Sequence, residues 1–149
     1  MKAVSILFII LRLFLGGLMI YGGIHKFEQP SPTPIEVFQK AEKFSSPEKE
    51  STLQKILYIS GAKQTGYFWQ VLGICEILFG LLLIIQGTSF IGAIFLLPIT
   101  LHIFLFHYFL EREETGELLK TLAFFAINLA LVLKEYKKFL YRRDWTHYD

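Results

Sequence analysis

The chain has 149 residues, of which 53% are hydrophobic and 19% charged, with a formal net charge of +2 and a positive mean hydropathy of +0.45. That mixture is richer in apolar residues than a water-soluble domain usually carries, and the apolar residues fall in long blocks. Small net charge with lysines interleaved among glutamates excludes a nucleic-acid surface built on clustered Lys and Arg. Cys75 is the single cysteine, which excludes an intrachain disulfide, a CxxC redox pair and a cysteine-based metal cage.

A spanning helix needs about 20 predominantly apolar residues, because about 30 Å of hydrocarbon is crossed at 1.5 Å per residue. Residues 3–24, 67–85 and 90–110 meet that requirement. A fourth run, 118–133, is shorter and would let Lys120 and Lys134 snorkel toward the two interfaces. The first run resembles a signal peptide in having Lys2 before an apolar stretch, but Arg12 interrupts it and no small-residue cleavage pattern follows, so it is expected to stay as a helix. The expected fold is therefore all-α and integral to the membrane: one domain over residues 1–149, a four-transmembrane-helix bundle with a helical extramembrane loop between helices 1 and 2.

That loop, residues 28–66, carries two helix starts. Thr33-Pro34-Ile35-Glu36 has the form of a capping box with proline at the first helical position, and Ser46-Pro47-Glu48 repeats the serine cap and proline start. Ile35, Phe38 and Ala41 then recur at helical spacing, as do Leu53, Ile56 and Leu57. Both pieces read as amphipathic helices lying over the bundle mouth or the membrane surface. After the fourth run comes a basic tail, residues 134–149, with Lys134, Lys137, Lys138, Arg142 and Arg143. By the positive-inside rule this tail favours both termini in the cytoplasm.

Ionisable groups within the bilayer are expensive and usually face the bundle interior. Arg12 lies nine residues into the first run and Glu76 nine residues into the second, each about 14 Å deep by helical rise. Equal depth on antiparallel helices predicts an Arg12–Glu76 ion pair, serving either to hold two helices together or to bind a ligand. His102 and Asn128 fall at similar depth and are expected to complete a polar network or to bond across helices. A second polar group is expected where the lid begins, from His25, Lys26, Gln70 and His107. His102 and His107 are separated by about 140° around a helix, not by the four-residue spacing of paired metal ligands, so they are expected to point different ways and no metal site is expected. Glycines share faces with the charges: Arg12, Gly16, Gly23 and Lys26 on the first run, Gly73, Glu76 and Gly80 on the second. Glycine lets helices approach closely, which turns these faces toward each other.

In its residues Arg12 to Lys26, RLFLGGLMIYGGIHK, the chain resembles the first helix of the DoxX family of small bacterial four-helix membrane proteins, with an arginine and a Gly-x-x-Lys ending at Gly23 and Lys26. Glu76-Ile-Leu-Phe-Gly80 is similar to the family's second-helix glutamate and glycine, and Phe106-His107 to the phenylalanine and histidine that close its third helix. The resemblance implies a bundle in the cell inner membrane and, through members tied to thiosulfate oxidation and to quinone or catechol resistance, a link to membrane redox chemistry. Two expectations follow. One is a redox-associated subunit with no covalently bound cofactor, in which Lys26 and His107 hydrogen-bond a quinone, Phe106, Tyr108 and Phe68 form apolar walls, and a membrane partner supplies the electrons. The other is a noncatalytic assembly factor or accessory subunit, the role that animal relatives of the family imply, in which Arg12 and Glu76 are structural.

Overall fold

The computed structural model describes residues 2–28, 30–44, 50–111 and 114–144, and for Lys2 and residues 137–144 it describes the backbone alone. These residues form six helices: α1 (Lys2–Glu28), α2 (Pro34–Glu42), α3 (Glu50–Gln64), α4 (Phe68–Ile84), α5 (Ser89–Leu110) and α6 (Thr115–Asp144). Three of them, α1, α5 and α6, are each long and apolar enough to cross a membrane; α3 and α4, bent by 87° at their junction, pass that test only together, and α4 packs inside the bundle as its fourth helix. The molecule is an all-helical, multi-pass membrane protein. Its chain returns to the side from which it started, so the bundle has a tail face, carrying Lys2, Asp144 and the α4–α5 turn, and a lid face, carrying α2 and α3.

Lipid is as apolar as leucine, so helices in a bilayer are joined by close packing and hydrogen bonds and not by exclusion from water. The α1–α4 seam, the most extensive in the bundle, shows the first device. A Cβ on Gly16 would lie 2.9 Å from the Gly80 carbonyl oxygen, and one on Gly23 would lie 2.7 Å from that of Gly73. These two glycine pairs bring the backbones together and fix the antiparallel register. Farther along, Gly92 of α5 lies against the backbone of Leu82 and Leu83. The core between the helices is correspondingly small, made by Leu15, Met19, Leu83, Ala93, Leu96 and Leu131. Most other large apolar side chains, such as Ile10, Phe14 and Val71, face outward, where acyl chains and not water surround them.

The α5–α6 seam uses the second device. Asn128, wholly buried, donates from Nδ2 to Thr100 Oγ1 at 3.1 Å. The Thr100 hydroxyl donates to the Leu97 carbonyl at 3.1 Å, so its lone pair is free to accept and the amide must present nitrogen to it. Phe104 stacks on Phe125 in the same seam, with centroids 6.3 Å apart.

On the lid face, α2 begins as its sequence dictates. Glu36 N–H donates to Thr33 Oγ1 at 3.3 Å, Thr33 N–H donates to Glu36 Oε2 at 2.7 Å, and Pro34 occupies the first turn. The bonds from Thr33 hold the Glu36 carboxyl below its ordinary pKa. The second cap read from the sequence, Ser46-Pro47-Glu48, lies outside the described residues. Between α3 and α4 the chain turns sharply at Gly66, whose φ of 76° suits glycine. Thr65 caps both sides of the break, donating to the Ala62 carbonyl at 2.8 Å and accepting from Phe68 N–H at 3.0 Å. At the other end, α6 continues well past the apolar run that ends at Leu133. Beyond the hydrocarbon a helix no longer needs apolar residues, and Lys134 instead lies over the Phe8 ring at 4.1 Å.

Candidate functional site

Three polar pairs meet at the lid end of the bundle. Lys26, in the last turn of α1, donates from Nζ to Glu76 Oε2 at 2.6 Å, with only 15% and 3% of the two side chains exposed. The pair forms because helical side chains lean toward their own N-terminus. On antiparallel helices Lys26 and Glu76 therefore lean toward each other, closing an axial offset that the backbones leave open. Gly22 adjoins the pair, and even a Cβ there would make only van der Waals contact with Glu76 Oε2, at 3.7 Å.

This corrects the expected Arg12–Glu76 pair. The register set by Gly16–Gly80 and Gly23–Gly73 places Arg12 beside Ile84, about 12 Å along α4 from Glu76. Equal depth counted from the ends of two apolar runs fixed only an approximate level; it carried no information on register or side-chain lean. Arg12 lines a cleft near the tail face instead.

The second pair joins α3 to α5, with Tyr58 Oη 2.7 Å from His102 Nε2. In the third, His107 Nδ1 sits against Glu111 Oε2, and Glu111 Oε1 is held by Lys55 of α3. Glu111 is itself buried. Two ammonium groups approach the Trp69 ring, Lys26 Nζ at 5.4 Å and Lys63 Nζ at 5.2 Å from its centroid.

Between these pairs is a cavity of about 240 Å³, lined by Lys26, Tyr58, Ile59, Phe68, Trp69, Leu72, Glu76, His102, Ile103, Phe106 and His107. An apolar space of about 190 Å³ adjoins it between α4 and α5, sharing Phe68, Leu72, His102 and Ile103 and reaching Pro98 and Ile99. Since a cavity of about 150 Å³ accepts benzene, the first space has room for a substituted ring and the second for an apolar chain attached to it.

The candidates read from the sequence divide accordingly. Lys26, Phe106 and His107 line the cavity, and so do Glu76 and His102. His25 turns away, pairing with Glu28 at 2.6 Å and stacking on Tyr21. Gln70 is partly buried but does not reach the cavity. The expected network of His102 with Asn128 resolves into separate contacts, His102 with Tyr58 and Asn128 with Thr100. His102 and His107 border the same space despite their angular separation, because the cavity wraps around that side of α5, and each holds a different partner. Phe68 is in the wall, whereas Tyr108 packs on Phe104 and Phe109.

Sequence reading missed Tyr58, Trp69, Lys55 and Glu111. Only Glu111 left a usable signal, four residues after His107 and so on the same helical face.

A DoxX family model matches residues 7–108. The chain belongs to the DoxX family. No curated protein and no solved structure matches it. The DoxX match runs from the first turns of α1 almost to the end of α5, and every residue lining the 240 Å³ cavity lies within it. Glu111 and the whole of α6 lie beyond it.

Proposed function

We propose that this DoxX protein is a redox-associated subunit of the cell inner membrane that binds a quinone or quinol in the lid-end cavity, with both termini in the cytoplasm. The observation that carries the reading is the junction of a polar, aromatic-walled chamber with an apolar groove between α4 and α5. A membrane quinone has the same two parts, a ring bearing two carbonyl oxygens and an apolar tail. Trp69, Phe68 and Phe106 offer faces for the ring, and the groove past Leu72 toward Pro98 accommodates the first part of the tail.

His102 commits Nε2 to Tyr58, and His107 turns Nδ1 toward the Glu111 carboxylate, close by but without a hydrogen bond of good geometry. The other nitrogen of each is available to donate to a quinone carbonyl or to accept from a quinol hydroxyl. Lys26 is a further donor, and its bond to Glu76 keeps its charge compensated. Reduction of a quinone to a quinol takes two electrons and two protons. The residues bordering the cavity can exchange the protons, and a membrane-bound redox partner exchanges the electrons, since the sequence carries no nucleotide fingerprint, flavin motif or iron–sulfur cysteines.

Trp69 offers a direct test. With Trp145 replaced by Phe, so that Trp69 is the only indole, titration of the lipid-reconstituted protein with a short-chain quinone should quench its fluorescence saturably. His102→Leu should weaken that binding about tenfold or more. Linear, non-saturating quenching that is the same in both proteins would overturn the reading.

A further inference from the structure

The opposite end of the bundle holds a second polar site that the proposed function does not use. Arg12 of α1 and Lys134 of α6 border one cleft of about 30 Å³, lined also by Phe8, Ile9, Ser89 and Glu135. The α1–α4 register puts this cleft at the level of the α4–α5 turn, toward the tail end of the bundle. The Nε of Arg12 is buried with no hydrogen-bond partner. Among the described residues neither Arg12 nor Lys134 has a carboxylate within ion-pair distance. Lys134 is held in place by the Phe8 ring beneath it. With Glu135 counted, the cleft keeps one net positive charge, and a guanidinium donor fixed inside it lacks an acceptor.

We propose that this cleft binds the phosphate of an anionic phospholipid from the tail-face leaflet. By the ~10–15 Å³ that one water-sized group needs, the cleft has room for about two such groups, so it takes one or two phosphoryl oxygens, with the rest of the headgroup outside. A phosphoryl oxygen is the acceptor that a buried guanidinium N–H and a neighbouring ammonium require. The surroundings fit the remainder of the lipid. Leu13 and Phe14 present apolar, outward-facing side chains along α1 on the membrane side of the cleft, a track for an acyl chain. The sequence of α6 adds Lys137, Lys138, Arg142 and Arg143 on the same end of the helix, which raises the local concentration of anionic lipid at this face. A free phosphate ion would use the same donors but gain nothing from the apolar track.

Native mass spectrometry of the full chain, released from detergent, tests the site. Phosphatidylglycerol, phosphatidylcholine and inorganic phosphate are added in separate arms. One phosphatidylglycerol should bind at least tenfold more tightly than phosphatidylcholine, and Arg12→Gln should abolish that preference. Lys134→Gln, at a partly exposed position that should not impair folding, should weaken binding about tenfold, whereas Glu135→Gln should preserve or tighten it. Equal binding of the two lipids, or a preference unchanged in both Arg12→Gln and Lys134→Gln, would overturn the proposal. So would a phosphate adduct in the parent without a phosphatidylglycerol adduct, which would assign the cleft to the free ion. A loss of binding in Glu135→Gln would equally count against it, by showing that the carboxylate organises the cleft.

Discussion

The two main seams of the bundle solve one problem by opposite means. Between α1 and α4, paired glycines bring the backbones together and an ion pair closes the lid end. Between α5 and α6, larger side chains interdigitate around one amide–hydroxyl bond. The α1–α4 seam has little freedom: its spacing is set by backbone atoms, and its Lys26–Glu76 contact exists only at that spacing and register. The α5–α6 seam is set by side chains, which can adjust. The family match covers all of the first seam but stops before α6, and α1 and α4 supply Lys26, Phe68, Trp69, Leu72 and Glu76 to the lid-end cavity. A site that must hold groups to within about half an ångström benefits from rigid supports.

The largest expected effect comes from unbalancing the ion pair. Lys26→Met leaves the Glu76 carboxylate, 3% exposed, without its partner, and stranding one member of a buried pair costs about 3–5 kcal/mol. Glu76→Leu should cost less, because the Lys26 side chain sits at the end of α1 and can extend toward the lid face. The double variant Lys26→Met with Glu76→Leu should recover most of the loss seen in Lys26→Met. Thermal unfolding in one detergent compares the three. Equal losses for Lys26→Met and the double variant would show that the two residues do not act as a pair.

A smaller effect should follow from forcing the glycine seam apart. Gly23→Leu places its Cβ 2.7 Å from both the Gly73 carbonyl oxygen and Ile77 Cγ1, and the backbone oxygen cannot yield unless the helix moves. Overpacking of this kind costs about 1–3 kcal/mol. Gly17→Leu is the control, since nothing lies within 4 Å of a Cβ there, and it should leave the melting temperature close to that of the parent. If both variants melt alike, close approach at Gly23 does not govern the seam.

The contrast also explains what the sequence could disclose. Long apolar runs and the Gly-x-x-Lys, Glu and Phe-His signatures suffice for a four-helix membrane bundle and for its family, because both depend on composition and local spacing. Thr33 and Glu36 likewise announce the start of α2, since every group in a capping box lies within four residues. The partner of Glu76 depends on interhelical register. The glycine stripes that set this register were visible, yet stripes show which faces meet and not which residues stand opposite. The contributions of α3 were harder still to see. Tyr58 and Lys55 reach the site only because Gly66 turns the chain through 87° and lays α3 over the bundle mouth. Nothing in the local pattern around Tyr58 separates a cavity wall from an exposed interfacial ring.

The smallest effect is expected in the α5–α6 seam, where the bond itself is dispensable but its halves are not. Asn128 Nδ2 donates to Thr100 Oγ1, while Asn128 Oδ1 is buried without a partner. Asn128→Leu therefore removes one favourable bond, worth about 0.6 kcal/mol between membrane helices, together with an oxygen whose burial was uncompensated. These changes oppose each other, and leucine keeps the number and branching of asparagine's heavy atoms, so the melting temperature should barely move. Thr100→Val keeps the shape but leaves the whole amide unpaired, which should cost about 1 kcal/mol. Combining the two substitutions removes the stranded amide and should restore stability to near that of the parent. This non-additivity, read by thermal unfolding of the four proteins in the same detergent, is the signature of an adjustable seam. A loss in Asn128→Leu as large as that in Lys26→Met would show instead that α5 and α6 depend on their polar contact as strictly as α1 and α4 depend on theirs.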